Sequence, residues 1–328
     1  MSDAVHYMMI DIAVVGTGHL GTIHAKLWKG QEGAKLVAVV EPDEKRGRAV
    51  AEEFGVAWYA SVGDLPHVDA VTIAAPTSQH FDLAVQCLDR GAHCFIEKPV
   101  TATHAEATKL LQHSALAQRV VQVGHVERFN PAVRALEHVE MAPLFIEAHR
   151  LSSFKPRAID VSVIHDLMIH DIDLILWLTK STVVDVAATG VAVLTDTPDI
   201  CNARITFASG CVANLTASRI SAKPLRKMRI FQKDNYVSLD LAAPSAELYR
   251  LIETSALDTT HQTPLGTVST QHGDRMIVFD TPLVTASNAI ADEQRSFLHS
   301  IRTSTSAAVT LQEGAEAVRV AELIEQCL

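Results

Sequence analysis

Two domains are predicted, an α/β domain with a helix-covered parallel sheet and then an α+β domain built on an antiparallel sheet, and three observations predict them. The chain has 328 residues, more than one hydrophobic core usually supports. Its first part alternates short apolar, β-branched runs with helical patterns, the rhythm of βαβ units. After about residue 125 the strands lengthen, alternate polar with apolar residues and follow one another directly, which describes an antiparallel sheet with one covered face. The expected domains are therefore 1–125 and 126–328.

Taken in order, "IDIAVVG" is a buried strand, "HLGTIHAKLWKG" a helix ending at Gly30, and "KLVAVVEP" a second strand stopped by Pro42. "EKRGRAVAEEFG" is a helix closed by Gly55, "VDAVTIAAP" a strand, "SQHFDLAVQCLDRG" a helix and "AHCFIEKP" a strand. The helix "HAEATKLLQHSALAQ" and the strand "VVQVGH" complete the first domain. In the second, "VSVIHDLMIHDIDLILWLTK" is one helix. In "CNARITF", Ala203, Ile205 and Phe207 alternate with polar residues, and "KMRIFQ" and "YVSLDL" repeat that pattern. The stretch "TSALDTTHQTPLGTVSTQHG" is expected as a surface hairpin loop, and two helices, "NAIADEQRSFLHSIRT" and "LQEGAEAVRVAELIEQCL", close the chain.

Composition excludes several classes. A net charge of −10 argues against general nucleic-acid binding, which needs a surplus of lysine and arginine. The opening "MSDAVHYMMI" lacks a basic region followed by a long apolar one, and no run approaches the ~20 apolar residues of a membrane helix, so a cytoplasmic protein with no membrane partner is expected. Five cysteines without a CxxC pair suggest neither a disulfide framework nor a zinc knuckle, and are read as small buried apolar residues.

"VVGTGHLG" sets Gly16, Gly18 and Gly21 in a GxGxxG pattern directly after a strand and opening a helix, with His19 and Leu20 between the glycines. Glycine is needed for the tight turn, for close backbone approach to a pyrophosphate and for helix packing; the diphosphate then meets unpaired N–H groups at the helix N-terminus. Glu41 ends the next strand about twenty residues on, where a carboxylate accepts hydrogen bonds from an adenosine ribose and repels the 2′-phosphate of NADP. NAD is the expected cofactor.

"AAPTSQH" at 74–80, which holds Pro76, Thr77 and His80, and "EKP" at 97–99 both fall at C-terminal strand ends, the edge where open α/β sheets bind ligands. Glu97 and Lys98 there are either solvated end residues or working groups. On the later helix Asp166 and His170 stand four residues apart on one face, and Asp173 follows by three, so that a carboxylate can fix the imidazole tautomer. A buried structural network is the competing reading of this cluster. A metal site is another, opposed by the roughly 140° splay of His165 and His170 around a helix, so no metal is expected.

A dinucleotide fingerprint, "AAPTSQH", "EKP" and DxxxH in that order, with "ERFNPAV" at 127–133 and the closing "DEQRSFLHSIRT" and "VTLQEGAEAVRVAELI", resembles the Gfo/Idh/MocA family of NAD(P)-dependent sugar and polyol dehydrogenases. The resemblance implies a Rossmann NAD-binding domain with a doubly wound parallel sheet, then a substrate-binding domain on a large, open, mostly antiparallel sheet used in oligomer contacts, as a homodimer or homotetramer. It puts Lys98, Asp166 and His170 at the catalytic positions: Lys98 on the reacting hydroxyl, His170 as general base, Asp166 orienting it. Pro76, His80 and Glu97 would line the nicotinamide side.

Many members carry a glycine-rich stretch before the DxxxH aspartate, where this chain has "DVSVIHD". With "HRLSSFKPRAIDVSV" and "GHVERFNPAV", that departure resembles a branch acting on a sugar nucleotide, the UDP-N-acetylglucosamine 3-dehydrogenases, which feed a 3-keto sugar to an aminotransferase on the way to a diamino lipid A. Arg150, Lys155 and Arg157 would then offer cations to a diphosphate, with Arg128 and Asn130 also on the substrate side. A dehydrogenase of a free polyol such as inositol, and a noncatalytic NAD-binding sensor, are the alternatives.

Overall fold

The computed structural model describes residues 9–154, 161–258, 260, 262–271 and 273–328. They group into two compact units: Met1–Val126 with Asn288–Arg319, and Glu127–Ser287 with Val320–Leu328. The first holds a six-stranded sheet, β1 (Ile10–Val15), β2 (Ala34–Val40), β3 (Ala57–Tyr59), β4 (Ala70–Ile73), β5 (His93–Glu97) and β6 (Val121–Gly124). Its spatial order is β3-β2-β1-β4-β5-β6 and every pairing is parallel. The reversal of order beside β1 is the topological switch point, where the C-terminal strand ends open into a ligand crevice. Strand β3, only three residues long, carries too little periodicity to be read from sequence.

Helices α1 (His19–Gly30), α2 (Glu44–Phe54), α3 (His80–Asp89) and α4 (His104–Ala117) connect the strands. Strand β1 is almost wholly buried, as expected of a parallel strand covered on both faces. The sequence boundary assigned everything after residue 125 to the second domain; the structure instead returns Asn288–Arg319 to the first unit. The cause is α7 (Ala289–Thr303), whose Phe297 and Leu298 lie in one apolar cluster with Trp28, Phe54 and Phe95. Periodicity shows that a helix has an apolar face but not which core receives it.

The second unit is built on nine strands in the order β14-β15-β13-β12-β11-β7-β10-β9-β8. These are β7 (Pro143–Leu151), β8 (Val183–Val191), β9 (Ile200–Phe207), β10 (Val212–Ser218), β11 (Leu225–Gln232), β12 (Asn235–Asp240), β13 (Ser245–Ile252), β14 (Thr263–Thr270) and β15 (Gly273–Asp280). Neighbours are antiparallel except β7 and β10. In β9, Cys201, Ala203, Ile205 and Phe207 are buried while Asn202 and Arg204 are exposed, so the predicted alternation sets the covered face. The expected loop near residue 265 instead supplies the edge strand β14, since its mixture of Thr, Ser and Gly hides a strand exposed along its length.

On the other face, Phe145, Phe231, Tyr236, Tyr249 and Phe279 form a row across five adjacent strands, with successive ring centroids 5.9, 4.8, 5.4 and 5.0 Å apart. Four cysteines are buried as expected; Cys327 is exposed, because the chain there has left the core of the last helix, α8 (Leu311–Glu325). Among the described residues no helix is long and apolar enough to cross a membrane.

Candidate active site

In the first unit the glycine turn has the geometry a dinucleotide needs. Gly16 has φ +87°, and a Cβ on it would lie 2.7 Å from the Ala75 nitrogen; one on Gly21 would lie 1.8 Å from the Gly16 carbonyl oxygen. A Cβ on Gly18 would meet nothing within 4 Å, so the open ground is at the middle glycine. Gly18 also caps α1 without a side-chain hydrogen bond, which leaves the first-turn N–H groups for an anion.

A cleft of about 750 Å³ opens there, lined among others by Gly16, Gly18, Glu41, Arg46 and Pro76. Glu41 ends β2 and is only 4% exposed. One of its oxygens accepts from the backbone N–H and hydroxyl of Thr17, at 2.9 and 3.0 Å, and the other from Asp43 N and Arg46 Nη2, at 3.1 and 2.6 Å. Burial pushes the Glu41 carboxyl up, but these donors, Arg46 first, outweigh it and bring it down to about 2. Glu41 is therefore ionised at neutral pH, and the half-exposed Arg46 is the one donor able to yield to a ribose.

His80 and Glu97, expected beside nicotinamide, are spent on the protein. The two ring nitrogens of His80 lie 2.8 Å from the carbonyl oxygens of Pro99 and Ala75, stapling the end of "AAP" to the turn of "EKP". Glu97 ends β5 and is 7% exposed; its Oε1 lies 2.7 Å from His24 Nε2, and its Oε2 accepts from Lys98 N at 3.2 Å. Space for this carboxylate comes from Gly124 on β6, where a Cβ would stand 3.0 Å from it. Lys98 follows at the strand edge and is joined to Pro99 by a cis peptide bond.

In the second unit Asp166 and His170 are both partly buried, but the helix carrying them is not the continuous α-helix expected. Ile164–Met168 is a π-turn, closed by Ile169 N on the Ile164 carbonyl, and α6 (Ile169–Thr179) follows. Such inserted turns recur where a side chain must be re-aimed, and a period-based reading cannot see one extra residue. The turn is anchored: Val163 N donates to the Pro198 carbonyl at 3.1 Å, His165 pairs with Glu325 at 3.2 Å, and Ser162 bonds the same carboxylate.

The expected substrate cations on this unit are corrected. Arg150 is 3% exposed, its fork clamped by both oxygens of Asp171 at 3.0 and 2.8 Å and by Glu127 at 2.7 Å, so it cannot present that fork to a diphosphate. Arg128 is likewise bidentate to Asp173, at 2.8 and 2.6 Å, and this engages the carboxylate expected to fix His170. Asn130 bonds Glu127 and the Leu241 carbonyl at 2.9 and 3.0 Å. "ERFN" is thus a buried scaffold under α6, and Asp171 and Asp173 are the partners that sequence reasoning missed. Arg157 and Lys155 lie outside the described residues. Among those described, no group of three His, Cys, Asp or Glu side chains is placed to hold a metal ion.

A doubly wound sheet with an open glycine turn and an ionised carboxylate at the second strand end defines a dinucleotide-binding protein, and the second unit adds an acid and a base on one helix. Residues 10–125 match the model described as the oxidoreductase family with an NAD-binding Rossmann fold, and residues 138–235 match the GFO/IDH/MocA C-terminal domain. The chain belongs to the Gfo/Idh/MocA family of NAD-binding oxidoreductases. It is 42% identical over 238 residues to the UDP-N-acetylglucosamine 3-dehydrogenase of Acidithiobacillus ferrooxidans, covering 72% of this chain and 75% of that protein. A solved structure of that enzyme superposes with a TM-score of 0.87 at 35% identity, covering 98% and 97% of the two chains. Inositol 2-dehydrogenase 1 of Saccharopolyspora erythraea is 36% identical over 196 residues, 55% of this chain and 57% of that protein.

Proposed function

We propose that the chain oxidises the 3-hydroxyl of UDP-N-acetylglucosamine to a ketone, with NAD as acceptor. The observation that carries this reading is the 42% identity to a dehydrogenase of that name, against 36% over a shorter stretch for an inositol dehydrogenase. Bound NAD supplies the hydride acceptor. The first unit contributes the Gly18 turn, which takes the diphosphate of the cofactor, Glu41, which takes its adenosine ribose, and Lys98, whose ammonium hydrogen-bonds the reacting hydroxyl. The second contributes His170, which accepts the hydroxyl proton, and Asp166, which orients the imidazole. Arg157 is assigned to the substrate diphosphate.

The 3-keto product suits an aminotransferase acting next, in the cytoplasm, toward a diamino lipid A. The aromatic row on the open face of the second unit supports a homodimer or homotetramer formed through that sheet. Reduction of NAD followed at the nicotinamide absorbance band, with UDP-N-acetylglucosamine and myo-inositol supplied separately, tests the assignment. Turnover of inositol alone would replace it with the polyol reading.

A further inference from the structure

The π-turn that carries Asp166 is fastened at its entrance by a buried ion pair to which the reaction as described gives no role. Asp199, fully buried, stands just before β9, and Arg219, 5% exposed, just after β10. Arg219 Nε donates to Asp199 Oδ1 at 2.7 Å, and the Arg219 backbone N–H donates to the Asp199 carbonyl at 3.0 Å. The other carboxylate oxygen accepts from the backbone N–H groups of Val193, Leu194 and Thr195, at 2.8, 2.6 and 3.1 Å. The loop between β8 and β9 is thereby wound onto Asp199. Arg219 Nη2 tightens it further, donating to the hydroxyls of Thr195 and Thr197 at 2.7 and 2.9 Å.

Two backbone atoms in front of the π-turn hang from this assembly. Arg219 Nη1 donates to the Val161 carbonyl at 2.6 Å, and the Pro198 carbonyl, at the end of the wound loop, accepts from Val163 N at 3.1 Å. Between them in the chain, Ser162 hydrogen-bonds one oxygen of Glu325 on α8, and the other lies 3.2 Å from His165 Nε2. Behind the turn, Asp171 is clamped by Arg150 and Asp173 by Arg128.

A helix seldom takes up a π-turn on its own. Held at both ends, this stretch cannot slide into an unbroken α-helix without breaking the bonds at its entrance. Asp166 and His170 lie inside the clamped stretch, so the clamp sets where they point.

We propose that Arg219, through Asp199, and Glu325 are positioning residues for the dehydrogenation: they hold the entrance of the π-turn so that His170 and Asp166 keep the orientation that proton removal requires. This deepens the reading above and rests on His170 acting as the general base. Arginine suits the place because its planar fork reaches the Asp199 carboxylate, two threonine hydroxyls and the Val161 carbonyl at once, which a single ammonium cannot span. A merely structural pair would hold the β8–β9 loop and leave the chemistry untouched.

The test is kcat, KM and NAD affinity in the parent, Arg219→Lys, Glu325→Ala, His170→Ala and the two doubles with His170→Ala, using whichever of UDP-N-acetylglucosamine and myo-inositol the parent oxidises. Arg219→Lys keeps a cation beside Asp199 but releases Val161, and Glu325→Ala, at a partly exposed side chain, releases Ser162 and His165. Each should lower kcat by about 10- to 100-fold, the cost of misplacing a catalytic group by about 1 Å, with KM and NAD affinity held within about twofold. In the His170→Ala background neither should lower kcat by more than about twofold, because misplacing a base that is absent costs nothing.

Glu325→Ala keeps the test open if Arg219→Lys does not fold by circular dichroism. Parental kcat in a folded variant, even with a lowered Tm, overturns the role of the residue it replaces. A loss of the same size on top of His170→Ala overturns the inference alone, since the effect then does not run through the base. Near-parental turnover in His170→Ala removes the general-base reading and the inference with it.

Discussion

Glu41 is the side chain proposed to set the cofactor preference, and it has little slack. Four donors already surround its two oxygens, and the Arg46 side chain among them is half-exposed. NAD should bind more tightly than NADP, and Glu41→Ala should weaken NAD by about 10- to 100-fold, the worth of a charge-assisted hydrogen bond. Arg46→Ala should widen the preference for NAD, because it frees a ribose acceptor and removes the cation nearest a 2′-phosphate. Fluorescence titration of both cofactors checks this; a parent that prefers NADP contradicts the role given to Glu41. His170→Ala belongs to the same scale. It should lower kcat by about 10²- to 10⁴-fold while leaving NAD affinity unchanged, and near-parental turnover would remove His170 from the chemistry.

At the scale of elements, the second unit depends on charges buried in pairs under α6. Arg150→Met leaves Asp171 and Glu127 without their shared cation and should cost about 3–5 kcal/mol in stability, seen as a lower Tm. If the variant melted like the parent and only KM for the sugar nucleotide rose, Arg150 would be the substrate residue its sequence position suggested. That position misled for a physical reason. Sequence shows that a residue can be cationic, and only packing shows whether two carboxylates have already claimed it. The glycine turn and Glu41 were legible because their spacing is local and the backbone enforces it. The π-turn at Ile164–Met168 was not, since one extra residue in a helix leaves no mark on the apolar period, and neither were the pairing of Glu97 with His24 and the return of α7, since each depends on residues far apart in the chain.

For the whole molecule, the open face of the nine-stranded sheet presents its aromatic row together with Glu147, Lys227, Arg229 and Glu247, a mixture suited to a self-complementary contact. Phe231→Glu should convert the proposed oligomer to monomer in light scattering, and an unchanged mass would place the contact elsewhere. Arg157→Ala should weaken the sugar nucleotide by about one to two orders of magnitude, and the effect should shrink as salt rises. The central claim, hydride removal from a sugar nucleotide, is tested most directly by mixing the purified protein with NAD and UDP-N-acetylglucosamine and following both the nicotinamide absorbance and the sugar product by mass spectrometry. The account predicts NADH formed together with a sugar nucleotide lighter by two hydrogens and ketonic at carbon 3. No NADH with UDP-N-acetylglucosamine, alongside steady turnover of myo-inositol, would contradict it.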